Sequence, residues 1–372
     1  MLPPHLYVHV PFCARRCSYC DFAIAVRKRT PVDEYLEALD AELELRFADS
    51  KSSSLETIYL GGGTPSQLGG EGIERLMDLI RQRATVVPDA EVTIEVNPDD
   101  VTAESARAWR GAGINRVSVG GQSFHAETLR WMHRVHDVAS ISTAFEALRS
   151  ADLNDISIDL IFSLPDFLGR SWIEDLRQAI ALEPTHVSLY GLTIEPNAPL
   201  GKWVARREVT EASEDRYAEE FLLADAALGQ AGFEHYEVSN FARPERRARH
   251  NSGYWRGVPY AGLGPGAHEF DGGRRRWNVR AYSAWVERLR AGLDPLDDSE
   301  QLTPENRIAE TVYLGLRTTN GLDVAGAELA LIKPWLDAGW ADLGSEGRLR
   351  LTPAGWLRLD SLAATLTHFR SH

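Results

Sequence analysis

Three cysteines, Cys13, Cys17 and Cys20, are the entire cysteine content of this 372-residue chain, and all lie in the segment YVHVPFCARRCSYCDF. A disulfide framework disperses an even number of cysteines through an oxidised chain. An odd, clustered set points instead to a metal or redox site in a reducing compartment. Three thiolates on one loop can face a single metal centre. A structural zinc site takes four protein ligands, whereas an iron–sulfur cluster held by only three cysteines keeps one iron open to a substrate or cofactor. Zinc completed by His9 and three buried thiols without metal are the alternatives. Arg15 and Arg16, between the ligands, are expected to favour the thiolate forms.

Five further motifs with polar residues follow. In GGGTPS, Gly61–Ser66, successive glycines let a backbone approach a ligand closely and offer N–H donors to a carboxylate; an ordinary glycine turn reads the same way. In EVTIEVNPDD, Glu95 and Asn97 alternate to one face while Val92, Ile94 and Val96 alternate to the other. A carboxylate near a strand end can accept ribose hydroxyls, or simply face solvent. RVSVGGQSF carries Gln122, and MHRVHD carries Arg134. The run ISIDLIFSLP sets Asp159 among apolar neighbours, where a carboxylate is costly unless it has a partner or a ligand.

The elements that must position these residues are legible as alternating patterns. Strands are expected near Leu6–Val10, Thr57–Leu60, Val92–Val96, Arg116–Val119, Ile156–Phe162 and His186–Leu192. Amphipathic helices fall between them, as in Val32, Tyr35, Leu36, Leu39 and Leu43. The fold class is α/β: repeated right-handed βα units make a partial or full (β/α) barrel, with function at the strand C-terminal ends. The segment from Arg243 to Phe270 has little periodicity but many aromatics, which favours a functional role. From about Asp298 the pattern changes to a small helix-rich, winged-helix-like domain containing the hairpin RLRLT. The expected division is therefore 1–240, 241–297 and 298–372, and the only low-complexity tract is the short Lys51–Ser54 loop.

Composition narrows the function classes. A formal charge of −14 argues against broad nucleic-acid binding, although Arg243–Arg249 is locally basic. No run approaches the roughly 18 to 20 apolar residues of a membrane span, and no basic leader with a cleavage site is visible, so a cytoplasmic protein is expected. A transient peripheral contact with a membrane has no basic amphipathic helix to support it.

The spacing C-x3-C-x-aromatic-C, with Tyr19 as the aromatic residue, resembles the radical S-adenosylmethionine superfamily. The resemblance implies that Cys13, Cys17 and Cys20 hold a [4Fe–4S] cluster. The amino and carboxylate groups of S-adenosylmethionine would chelate its fourth iron, and cluster reduction would cleave the sulfonium to a 5′-deoxyadenosyl radical. It further implies that Gly62, Gly63 and Thr64 hold the methionine amino group. Tyr7, Glu95, Gln122, Arg134 and Asp159 match the remaining S-adenosylmethionine contacts of the coproporphyrinogen-oxidase-like branch. That branch usually reads DLI-aromatic-GLP at its last motif, so Ser163 stands where glycine is usual.

Within the branch, the oxygen-independent coproporphyrinogen III oxidases continue to an extra cysteine, C-x2-C-x-C; here Asp21 and Phe22 follow Cys20. Their N-terminal extension also has no counterpart ahead of Tyr7. The chain is therefore more similar to HemW-type heme chaperones, whose pattern matches YEVSNFARPERRARHNSGYWRGVPYAGLGPGAH, including HNSGYW at His250–Trp255. In that family HNxxYW is implicated in heme binding. Imidazole can ligate iron, Tyr254 and Trp255 can pack on porphyrin faces, and arginines can pair with propionates. The competing role for His250, Asn251 and Trp255 is to tie down a loop across the barrel mouth. His133, His136, His235 and His268 are assigned no role; His268 is expected at the same mouth as His250, and His136 on a surface turn. The resemblance implies heme as ligand and hemoproteins of the respiratory chain as acceptors. The alternative is an enzyme that oxidatively decarboxylates coproporphyrinogen III.

Overall fold

In the computed structural model the described residues are 2–48 and 53–372; the Lys51–Ser54 loop lies partly outside them. The chain opens with β1 (His5–Val10). Immediately after it, β2 (Phe12–Cys13) pairs with β3 (Ala25–Val26), and that two-residue pairing brackets the cysteine loop. Then come α1 (Val32–Phe47), β4 (Ser54–Gly62), α2 (Gly69–Arg83), β5 (Thr85–Val96), α3 (Ala103–Gly111) and β6 (Arg116–Gln122). The series continues through α4 (Ala126–Trp131), α5 (Val138–Ser150), β7 (Asp155–Phe162), α6 (Trp172–Ala181) and β8 (His186–Gly191). All six expected strands are present, each followed by helix.

After α7 (Pro199–Ala205) and α8 (Glu214–Gln230), β10 (Asn240–Ala242) adds to β8 antiparallel and β9 (Glu234–Glu237) to β10, while the segment expected to be irregular supplies β11 (Ala261–Leu263), which adds to β1 in parallel. The order is β11-β1-β4-β5-β6-β7-β8-β10-β9. Among the described residues β11 and β9 do not pair, so the barrel is partial rather than full.

Alternation along the strands divides the interior into two environments. One face, with Leu6, Val8, Val10, Ile58, Leu60, Ile94, Val117, Val119, Ile158, Leu160, Val187 and Leu189, is buried beneath the helices. Each such side chain stabilises by about 1.5–3 kcal/mol on burial. The other face carries Tyr7, His9, Tyr59, Thr93, Glu95, Ser118, Ser157, Asp159 and Ser188. Register places Tyr7 beside Tyr59 and Thr93, and Glu95 beside Ser118 and Ser157. The apolar core thus lies between sheet and helices, and the lumen is polar.

Between the two strand-rich edges sits α9 (Arg249–Trp255). A second sheet follows from β12 (His268–Phe270), β13 (Arg274–Asn278) and, after α10 (Tyr282–Arg290), β14 (Leu296–Gln301). The buried Glu42 of α1 anchors this region, accepting from Gly264 N (2.9 Å), Asn278 Nδ2 (2.7 Å) and Trp285 Nε1 (2.9 Å). The expected divisions at 240 and 298 therefore fall inside β10 and β14. The C-terminal part is helix-rich: α11 (Pro304–Leu316), β15 (Leu322–Asp323), α12 (Leu329–Asp337), the β16 (Ala341–Leu343) and β17 (Arg348–Leu351) hairpin, α13 (Pro353–Trp356) and α14 (Leu359–Ser371). Its three-stranded sheet has the order β15-β17-β16, the wing of the expected winged-helix-like unit. No helix of the described residues is long and apolar enough to cross a membrane.

Candidate functional site

The cysteine loop leaves the C-terminal end of β1 and is fixed on three sides. Beyond the β2–β3 pairing, Ser18 N donates to Met132 O (3.1 Å) and Leu200 N to Ser18 O (2.8 Å). Cys13, Cys17 and Cys20 are all half-buried. Cys13 Sγ lies 3.5 Å from Thr64 Oγ1, and Arg134 Nη1 donates to Cys17 Sγ at 3.5 Å. Burial pushes the Cys13 thiol up to about 11, only partly offset by Thr64, and burial raises Cys20 as well. Of the two arginines expected to help the thiolates, both exposed, Arg16 donates to Cys20 O (3.3 Å) and its charge opposes the rise of the Cys20 thiol, while the guanidinium that reaches a sulfur is Arg134.

One cavity of about 420 Å³ opens beside this loop at the C-terminal ends of the strands. All three cysteines line it, together with Tyr19, Gly62, Gly63, Thr64, Glu95, Gln122, Arg134 and Asp159. Arg134 is the hub: Nη2 donates to Asn97 Oδ1 (2.5 Å) and Gly120 O (2.9 Å), while Nε is buried with no partner among the described residues. Gln122 holds a left-handed backbone, φ +66°. Glu95 accepts from Tyr59 OH (2.8 Å) and Gly62 N (3.0 Å), and burial, reinforced by nearby Asp159, pushes its carboxyl up to about 7. Asp159 does have the partners its apolar strand demanded: Ser118 Oγ at 2.9 Å and Ser188. Burial still raises it to about 6.

The glycines of Gly61–Ser66 meet the protein itself. A Cβ on Gly63 would stand 2.6 Å from Pro11 O, and one on Gly62, at φ +111°, 2.5 Å from the His9 ring. With the Gly62 N–H already given to Glu95, these residues let β4 close against the root of the cysteine loop.

Tyr7 does not line the cavity. It lies one layer down, stacked on Tyr59 (6.1 Å, 22°) with its hydroxyl 3.0 Å from His9 Nδ1. His9 Nε2 bonds Ala23 O (2.8 Å), so both of its nitrogens are engaged and zinc completed by His9 is disfavoured. Nor do any three His, Cys, Asp or Glu side chains of the described residues converge as they would on one metal ion.

The His250–Trp255 motif is not at this mouth. It forms α9, which closes the opposite end, where Glu91 accepts from Arg249 N (2.7 Å) and His250 N (2.8 Å) at the helix start. His250 is buried, with Nδ1 2.7 Å from Thr57 Oγ1, Nε2 2.8 Å from Tyr254 OH and its ring stacked on Tyr59. Burial lowers it to about 3. As placed, both of its ring nitrogens are engaged within the protein. Trp255 points to the other side of the helix, against Arg317 (4.3 Å), with its indole N–H buried and unpartnered among the described residues. His268, expected beside His250, is exposed and stacks on Trp277. His136, expected on a surface turn, is buried against Gly121 O (3.2 Å). His235 packs on Phe241 and Trp356.

Tyr59 and Ser118 belong to the site without any sequence motif marking them, and His133, assigned no role from the sequence, lines the cavity with Asn97 and Ser118. Tyr59, Ser118 and Ser188 share the inward phase of Glu95 and Asp159 in their strands, and that phase was the available signal.

The donor set fits a cluster of the type the cysteine spacing implies. Three thiols surround one end of a cavity, and a buried guanidinium with an open donor faces it.

The chain matches the Radical SAM superfamily over residues 7–179. It is 37% identical over 374 residues to the heme chaperone HemW of Mycobacterium tuberculosis H37Rv, covering 98% of this chain and 95% of that one. It is 38% identical to that of Escherichia coli K12, over 72% of this chain and 70% of that one. Among solved structures, coproporphyrinogen III oxidase (HemN) from Escherichia coli superposes with a TM-score of 0.83 at 24% identity, over 99% of this chain and 91% of that one.

Proposed function

The chain belongs to the HemW family within the radical SAM superfamily, and we propose that it is a heme chaperone, binding heme and passing it to respiratory hemoproteins. In this proposal Cys13, Cys17 and Cys20 hold a [4Fe–4S] cluster, and the cavity beside them takes S-adenosylmethionine. The observation that carries the site is the convergence of all three cysteines with Glu95, Gln122, Arg134 and Asp159 on one cavity. When bound, the cluster supplies the electron that activates S-adenosylmethionine.

The roles of the chain's own residues follow from their contacts. Arg134 neutralises charge at Cys17 and locks Asn97 and Gly120 against the loop. Glu95, held by Tyr59 and Gly62, offers acceptors for ribose hydroxyls, and Tyr7 braces Tyr59 from below. Gly62, Gly63 and Thr64 bring the end of β4 to the methionine end. Tyr19 walls the cavity over Met132, Ile161 and Leu164. Heme rather than coproporphyrinogen as ligand is favoured by full-length identity to heme chaperones and by Asp21 and Phe22, which stand where a decarboxylase continues to a further cysteine.

The test is one anaerobically reconstituted preparation, analysed for metal and then divided between heme titration and coproporphyrinogen turnover. It is expected to carry about four iron and four sulfide per chain, lost in Cys17→Ala, and to bind heme without turnover. Zinc as the only metal overturns the cluster, and turnover without heme binding overturns the chaperone.

A further inference from the structure

We propose that His133 is the protein's ligand to heme iron and that the porphyrin lies on the aromatic ledge of Trp131, Phe167 and Trp203, at the mouth of the cysteine cavity. This rests on the heme-binding function proposed above and adds the place and the ligand.

The first observation is the imidazole. His9, His186 and His250 have both ring nitrogens in hydrogen bonds. His133, which lines the cavity, has neither engaged among the described residues. Its backbone is left-handed, φ +59°, a conformation uncommon for a residue with a Cβ and kept where surrounding bonds impose it. Those bonds are visible: His133 N donates to Arg130 O (3.1 Å), Arg134 N to Leu129 O (2.9 Å), and Met132 O receives Ser18 N from the cysteine loop (3.1 Å). The turn that sets Arg134 on Cys17 thereby also turns the imidazole into the cavity mouth.

The second observation is the surface beside it. His133 meets Trp203 edge-on at 5.6 Å, Trp203 lies 6.0 Å from Trp131, and Trp131 meets Phe167 edge-on at 6.0 Å. Phe167 is 62% exposed, and on the cavity rim Phe22 is 63% and Val135 51% exposed. Single exposed apolar residues are ordinary; a contiguous set at a cavity mouth marks a ligand surface. A free imidazole alone would suit many metals. Joined to a ledge of aromatic rings that meet one another edge-on or tilted, it suits iron inside an apolar macrocycle. Exposed Arg15, on the same cavity, offers a cation to a propionate.

His133→Gly is the discriminating variant, because glycine takes φ +59° without strain and the fold is not put at risk. Ferric heme is titrated anaerobically into reconstituted wild type, His133→Gly and Trp203→Ala. Absorption and electron paramagnetic resonance spectra report the ligand, and iron content reports the cluster. His133→Gly is expected to keep its cluster iron, lose the wild-type Soret position and spin state, and bind heme at least about tenfold more weakly. Added imidazole should restore the wild-type spectrum. Trp203→Ala should weaken binding with the ligand spectrum intact. A His133→Gly protein with wild-type spectrum and affinity overturns the ligand assignment while leaving heme binding in place. Wild type that binds no heme overturns the heme function itself.

Discussion

Replacing Glu95 by Gln should move stability and cofactor affinity in opposite directions. Gln keeps the shape, with its carbonyl able to accept from Gly62 N and its amide able to donate to Tyr59 OH, where Glu95 now bonds at 3.0 and 2.8 Å. What it removes is the charge. Burial first, then the proximity of Asp159, raise the Glu95 carboxyl from 4.5 to about 7, against the pull of its hydrogen bonds to Tyr59 and Gly62. A folded-state value above the unfolded one means the protonated form is the one folding favours. The contribution of Glu95 is therefore complete below about pH 4.5 and is lost as pH rises to about 7. At about 1.4 kcal/mol per pH unit this interval amounts to at most about 3 kcal/mol, less where solvent reaches the carboxylate.

Urea unfolding of the two proteins should give a stability difference that widens by up to about 2 kcal/mol in favour of Glu95→Gln between pH 5.5 and 8. S-adenosylmethionine affinity at pH 8 should fall about 10- to 150-fold, the equivalent of losing charge-assisted bonds worth roughly 1.5–3 kcal/mol. Wild-type affinity should also weaken below about pH 7 as the carboxyl protonates, and the variant's should not. A pH-independent stability difference refutes the burial argument. Unchanged affinity refutes the ribose role, and a loss of both stability and affinity means the substitution merely damaged the site.

Four further substitutions, one of them a control, test single elements of the structure. His250→Ala removes the bonds to Thr57 and Tyr254 and the stacking on Tyr59; it should cost about 2–4 kcal/mol in urea unfolding and leave the heme spectrum unchanged, a changed spectrum returning His250 to the ligand role. Ser163 sits at φ +59°, so Ser163→Gly should stabilise by about 0.5–1 kcal/mol, relief of left-handed strain outweighing the entropy of glycine; net destabilisation would contradict this. Gly63→Ala should lower cluster iron by pushing β4 off Pro11, whereas Gly229→Ala, with open space around its Cβ, should leave iron content unchanged; equal iron in both would show that close approach does not hold the loop.

The apolar alternation of Ile94, Val117 and Leu160 was enough to place six strands and their helices, because packing against a helix demands it continuously. The same alternation could not say where the opposite face looked. Tyr59 and Ser118 in an isolated strand are indistinguishable from solvent-facing residues, and they become lumen residues only when seven parallel strands curve around them. Glu95 and Asp159 were found because a carboxylate in that position is costly enough to need a reason, and a hydroxyl is not. β11 was missed for a related cause: three residues, Ala261–Leu263, carry too little pattern to separate a strand from a turn.

The motif HNSGYW lies on a helix, a placement its sequence pattern does not reveal, and there positions four apart share a face while those five apart do not. His250 and Tyr254 therefore face the lumen together, and Trp255 faces away toward Arg317. A motif specifies which residues occur together. The helical period decides which cavity each one sees, and here it sets the imidazole of His250 on Thr57 and Tyr254 while the turn at His133 leaves another imidazole unengaged at the cavity mouth.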